Sequence, residues 1–192
     1  RQRQMCIRDS TEAEGDFDKA IEWLREKGLA AQTKKAGKVA AEGVSYAIVA
    51  DNGVGVVIEV NSQTDFVAKN ADFQQFVADV ANVVIKDAPA DVEALKACKM
   101  GEGTVQDALQ EKVLTIGENL QIRRFERFDN STVNVAYNHM GGVIGVLVGL
   151  EVSEGLKDNA TVKELGKDIG MQAAAMNPSF LDKSDVDEAT LA

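Results

Sequence analysis

The sequence predicts an α+β fold: a small helical N-terminal module, then a core of antiparallel sheet packed by helices and built from two repeated units. Three observations lead there. Two pairs of β-branched runs flank glycine turns, VSYAIVAD and VGVVIEV around Asn52-Gly53, and VNVAYNH and VIGVLVGLEV around Gly141-Gly142. Such runs joined by tight turns read as hairpins. Each hairpin is followed by an amphipathic stretch that stops at a proline, Pro89 or Pro178. The third observation is the spacing: Gly55 matches Gly145 ninety residues later, and Ala88-Pro89 matches Asn177-Pro178 eighty-nine later.

Taken in order, residues 1–10 (RQRQMCIRDS) show no apolar periodicity and no cap, and read as unstructured or as a sequence scar. Residues 11–40 hold a truncated helical module and a connector. Within them DFDKAIEWLREKG, from Asp16, places Phe17, Ala20, Ile21 and Leu24 on one face and closes on Lys27 and Gly28. Lys34, Lys35 and Lys38 follow as a small basic cluster, read as a solvated connector face. The first core unit covers residues 41–131. Its hairpin turns at Asn52-Gly53, where both positions favour positive φ. Its long helix carries Phe73, Phe76, Val77, Val80, Ala81 and Val84 at i, i+3, i+4, i+7, i+8 and i+11, a single buried stripe. Residues 91–115 have helical composition interrupted by Gly101 and Gly103, which predicts two short helices. NLQIRRFERF predicts a bulged strand, with Arg123, Arg124 and Arg127 guarding an edge.

The second unit, residues 132–192, repeats the plan with TVKELGKDIGMQAAAM as its helix. In the first unit a strand beginning near Ile116 completes the sheet. A shift of 89 places would put its counterpart near position 205, past Ala192. The second unit is therefore read as incomplete, with an open sheet edge and part of a helix face uncovered, and the chain as a fragment cut at both ends.

Composition narrows the function. The 192 residues include 31 acidic and 21 basic side chains, a net charge of −10, which argues against broad nucleic-acid binding through Lys and Arg. No apolar run approaches the roughly 20 residues needed to span a bilayer, and no signal-peptide pattern is present. These features lead us to expect a cytoplasmic protein with neither membrane nor nucleic acid as partner. The only histidine is His139, the only cysteines are Cys6 and Cys98, and neither Cys-x-x-Cys nor His-x-x-x-His occurs. A structural zinc site is not expected, and no cofactor is predicted. GGVIGVLVG at 141–149 has the glycine density of a phosphate loop, but it continues into a strand rather than a helix. His139 reads as a solvated residue at a hairpin end or a contact to a partner, since no strand–Ser–helix elbow accompanies it.

The most informative segment is Thr64-Asp65-Phe66-Val67-Ala68-Lys69-Asn70. Thr64 can cap a helical turn, and Asp65 suits the start of one. Phe66 has two readings. Extending the core stripe back by seven from Phe73 makes it a core residue, while its place beside an acid between strand and helix suits a contact anchor.

TDFVAKN closely resembles the signature of the translation elongation factor Ts family. Further segments agree in order: Lys-Lys-Ala-Gly at 34–37, IGENLQIRR at 116–124, YNHMGGVIGVLV at 137–148, and NPSFL at 177–181. The resemblance, which covers roughly residues 11–192, is to the longer bacterial form. It implies a ubiquitin-associated-like N-terminal module, here truncated. It also implies a guanine nucleotide exchange factor that acts on elongation factor Tu without being an enzyme. Asp65 and Phe66, flanked by Thr64 and Val67, would insert into the partner's GTPase domain and disturb its magnesium and phosphate site. Ile116 and Gly117 would add contacts to that domain, and His139 would reach it from the second unit. For the full-length parent the resemblance leaves a homodimer open. A non-exchanging adaptor that only binds a protein partner is the alternative.

Overall fold

The computed structural model describes residues 37–187 together with Lys19, Trp23, Glu26 and Thr190. The scar read at 1–10 and most of the helix read at 16–27 lie outside the described residues; Lys19, Trp23 and Glu26 are helical. The remaining elements mix helices with antiparallel hairpins, an α+β fold. In chain order they are β1 (Glu42–Val49), β2 (Gly55–Ser62), the single turn α1 (Asp65–Ala68), α2 (Ala71–Asp87) and α3 (Val92–Ala97). There follow β3 (Lys99–Met100), β4 (Gly103–Thr104), α4 (Val105–Ile116), β5 (Gln121–Phe128), β6 (Val133–His139), β7 (Ile144–Leu150) and α5 (Ala160–Met176). Short 3-10 turns cover Glu154–Leu156 and Lys183–Asp185. One sheet has the order β1-β2-β5; β3 pairs with β4 and β6 with β7. The chain divides into two compact units, residues 1–44 with 58–125 and residues 45–57 with 126–192.

The first unit is organised by α2. Asn70 caps it, its side chain accepting the N–H groups of Asp72 (2.8 Å) and Phe73 (3.2 Å), and Ala88 ends it in the left-handed conformation. The six residues of the predicted stripe are all buried. They share the core with Ile58 and Val60 of β2, Leu95 of α3, Val105, Leu109 and Val113 of α4, and Leu120 and Ile122. Each of the valine, leucine, isoleucine and phenylalanine side chains among them contributes roughly 1.5–3 kcal/mol by leaving water. The two short helices read across 91–115 are present as α3 and α4, and the break between them at Gly101 and Gly103 is a miniature hairpin in which Lys99 pairs with Thr104 and Met100 with Gly103. Gly101 at φ 62 makes that turn. Thr104 then starts α4 with a capping box: its hydroxyl accepts the Asp107 N–H at 3.1 Å, and the Asp107 carboxylate accepts the Thr104 N–H at 2.9 Å. The strand read from near Ile116 begins at Gln121, because Ile116 is still the last residue of α4. On that strand Arg124 and Arg123 both reach Glu59 of β2, at 2.7 and 3.5 Å.

In the second unit the β1–β2 turn departs from the two-residue form. Gly53 donates to the Ala50 carbonyl and Ala50 to that of Val54, both at 2.9 Å, and only Gly53 has positive φ (86°). Asn52 stays at negative φ because its side chain accepts the Val54 N–H (3.1 Å), so the loop is a type I turn closed by glycine. β6 and β7 run antiparallel from Val133↔Leu150 to His139↔Ile144. Asn138 lies flat against β1: its amide accepts the Ala47 N–H and donates to the Ala47 carbonyl, both at 2.8 Å. The Gly142 carbonyl accepts the Ser45 N–H at 2.7 Å. Helix α5 packs on β6 and β7 through Gly166 and Gly170. A Cβ on Gly166 would stand 2.6 Å from the Val135 side chain, and one on Gly170 2.9 Å from that of Tyr137.

Candidate functional site at the turn between strand and helix

Chain direction builds this site. β2 ends at Ser62, the chain bends at Gln63 and Thr64, with Thr64 itself in the extended region (φ −127°, ψ 153°), and α1 follows as one helical turn before Asn70 resets the chain to start α2. A turn of four residues is far below the length at which a helix stands alone, so outside contacts must hold it. They come at both ends. At its start, Glu118 accepts three hydrogen bonds: from the N–H of Gln63 (3.0 Å), the N–H of Thr64 (3.1 Å) and the Thr64 hydroxyl (2.7 Å). The Ser62 hydroxyl donates to the Thr64 carbonyl at 3.0 Å. At its end, the Gln74 side chain donates to the Ala68 carbonyl at 3.0 Å, and Asn70 donates to the Val67 carbonyl at 2.9 Å.

Within that frame adjacent side chains go opposite ways. Val67 is 8% exposed and roots the turn, while Phe66 is 80% exposed. The core reading of Phe66 therefore fails. Extending the α2 stripe backwards assumes one continuous helix, and the extended backbone at Asn70 breaks the phase. Beside Phe66, Asp65 is exposed and pairs with Lys69 at 2.7 Å. The hydrogen bond from Lys69, reinforced by its charge, holds the Asp65 carboxyl below the ordinary carboxylate value and raises the Lys69 ammonium. Thr64 occupies the N-cap position but makes no side-chain cap bond. Its hydroxyl is turned to Glu118, a charged acceptor and so the stronger one.

The structure brings Ile116 and Gly117 to the same place. Ile116 is half-buried at the end of α4, and Gly117 is exposed in the left-handed conformation (φ 86°), where α4 stops. Glu118 is the next residue, so the chain leaving α4 delivers its carboxylate to the start of α1. Sequence reading gave Glu118 no role. Its partners are 54 and 55 positions away, and no local pattern marks such a contact.

His139 belongs to the other unit. It ends β6, half-buried, with its Nδ1 hydrogen-bonded to the Tyr137 hydroxyl at 2.9 Å. The chain then turns through Met140, Gly141 and Gly142, all at positive φ, leaving Met140 and Val143 exposed at the hairpin tip. Among the described residues no cluster of His, Cys, Asp and Glu is arranged to hold a metal, and no helix is long and apolar enough to cross a membrane.

Comparison with known proteins gives these features a context. The sequence model of a family described as "Elongation factor TS" matches residues 63–192. The chain is 47% identical over 184 residues to Elongation factor Ts of Paracoccus denitrificans, covering 93% of this chain and 60% of the relative. It is 45% identical over 189 residues to Elongation factor Ts of Clostridioides difficile, covering 97% of this chain and 61% of that relative. A third, Elongation factor Ts of Syntrophotalea carbinolica, is 45% identical over 184 residues, with 94% and 60% covered. The chain thus spans about three fifths of the length of these curated relatives. The matched residues 63–192 begin at the Gln63–Thr64 clamp and take in the whole turn that presents Phe66, and with identity at this level over most of its length, the chain belongs to the elongation factor Ts family.

Proposed function

We propose that this chain is a guanine nucleotide exchange factor in translation elongation, promoting release of GDP from elongation factor Tu in the cytoplasm. The observation that carries the reading is the exposure of Phe66 on a turn held at both ends, beside a buried Val67. A large apolar ring kept in water by a braced backbone loses little conformational freedom when it enters a partner's pocket. Phe66 and Asp65 are the inserting pair, with Thr64 and Val67 as their support. Ile116 and Gly117 add contacts to the GTPase domain, and His139 contacts it from the other unit. The finer plan of the fold belongs to the same reading: a ubiquitin-associated-like module ahead of a core of two repeated units.

The mechanism follows from linkage. If the chain binds the nucleotide-free partner more tightly than the GDP-bound one, it must weaken GDP by the same factor. Each tenfold of weakening needs about 1.4 kcal/mol of that difference. Insertion of Phe66 can supply it if the ring's pocket forms only when the magnesium and phosphate site is disturbed. No bond is made or broken by the chain, so it acts as a binding protein rather than an enzyme.

Release of labelled GDP from elongation factor Tu, with the unaltered chain and with Phe66→Ala, tests this. We expect fast release with the first and a loss of at least about tenfold with the second, the scale of a buried aromatic anchor. Two coincident release curves from folded proteins would overturn the assignment. A complex that forms with no change in release would identify a non-exchanging adaptor.

A further inference from the structure

We infer that Glu118 is a positioning residue for exchange: it fixes the start of the α1 turn and thereby the direction in which Phe66 projects. The inference rests on the exchange reading above and adds to it a residue that need not touch the partner.

The turn has one buried root, Val67, and holds Phe66 and Asp65 out to solvent. Val67 alone would leave the turn free to pivot, and the pivot lies at Gln63 and Thr64, where the chain bends. There Glu118 spans the bend, with one carboxylate oxygen accepting two consecutive N–H groups and the other accepting the Thr64 hydroxyl. Two adjacent amides and a side chain bound to one rigid, planar group define an orientation, which a single hydrogen bond would not. The carboxylate is in turn placed by the end of α4. Gly117 at φ 86° allows the chain to reverse there, and Val113, the acceptor of the Gly117 N–H, is fully buried. The turn's direction is thus referred through two residues to the core of the first unit. The far end is braced separately, by the Asn70 N–H on the Val67 carbonyl and the Gln74 side chain on that of Ala68. Loss of Glu118 should therefore loosen Phe66 without unfolding α2.

The test compares Glu118→Ala, Glu118→Gln and the double variant Glu118→Ala/Phe66→Ala with the unaltered full chain. The readouts are GDP release from elongation factor Tu and amide hydrogen exchange. A glutamine can still accept the two N–H groups through its oxygen and donate to the Thr64 hydroxyl, so it should restore most of what alanine removes. For Glu118→Ala we expect a maximal release rate at least about tenfold lower, since misplacing a group by about 1 Å can cost on the order of a hundredfold. Exchange at the Gln63 and Thr64 amides should accelerate while the α2 amides stay protected. The double variant should be no slower than Phe66→Ala alone, because Glu118 acts through that ring. The inference is overturned if Glu118→Ala releases GDP at the unaltered rate, or if the double variant loses activity additively. Should the unaltered chain fail to release GDP, it is the exchange reading that falls. Amide exchange alone then decides the positioning claim, with unchanged Gln63 and Thr64 amides overturning it and faster ones supporting it.

Discussion

Helices α2 and α5 invite comparison because their ends are the same and their sides are not. Both run for 17 residues, both start at an asparagine whose side chain accepts two N–H groups, and both stop at a non-glycine residue in the left-handed conformation. Yet α2 buries two phenylalanines, three valines and an alanine, whereas α5 buries only Gly166 and Gly170. Leu165, Ile169, Met171 and Met176 of α5 remain exposed. Caps decide where a helix begins and ends, because they concern backbone groups at the termini. How deeply it packs is a separate matter, settled by the side chains on one face. α2 is held by bulk and α5 by close approach, its glycines letting the helix lie against Val135 and Tyr137.

Three comparisons press on this contrast. The largest effect belongs to the bulky face. Phe76→Ala should cost about 3–5 kcal/mol in denaturant unfolding of the first unit, whereas Leu165→Ala in α5 should change stability by less than about 0.5 kcal/mol. Comparable losses would mean that α5 has a packing partner of similar depth. Next comes the close approach. Gly166→Ala gains helix propensity of about 1 kcal/mol but drives a methyl into Val135, an overpacking that costs about 1–3 kcal/mol. We expect a net loss, with faster amide exchange along α5; a stabilised protein would show that the hairpin can yield. The smallest effect lies on the exposed side of α1, a turn rooted by Val67 alone. Asp65 is held below its ordinary value of 3.8 by Lys69, so the pair's contribution is present above that pH and is lost as the pH falls through the lowered value. Being fully exposed, the pair should move global stability hardly at all. A carboxyl titration followed by NMR should place Asp65 below 3.8, and Lys69→Ala should return it to the ordinary range. An unmoved Asp65 would show that the ion pair does not persist in solution.

Legibility in the sequence follows the range of the interactions involved. The α2 stripe was readable residue by residue, because periodicity is local and a buried face repeats its spacing. Both hairpins were readable from their glycines. The form of the first turn was not, since the Asn52 side chain takes a backbone N–H that a two-residue turn would leave elsewhere. Gly101 and Gly103 were recognised as a break, but a hairpin of two residues per strand has no pattern long enough to recognise. At the candidate site, TDFVAKN stood out, yet the exposure of Phe66 was ambiguous until Asn70 was seen to interrupt the helical phase. Glu118 stood inside IGENLQIRR, but its role was not legible, for the simplest reason. Its meaning lies in two amides more than fifty residues earlier.

The flat contact of Asn138 on β1 has a consequence for how this protein behaves in a crowded solution. β1 is an outer strand of its sheet, and an outer strand offers unpaired amides on which another chain could lay a strand of its own. At Ala47 both backbone groups are taken by one side-chain amide, and at Ser45 the N–H is taken by Gly142. A carboxamide has the same donor and acceptor pair as a peptide group but cannot be extended into a further strand. It therefore works as a stopper, closing that stretch of the edge to strand-by-strand aggregation.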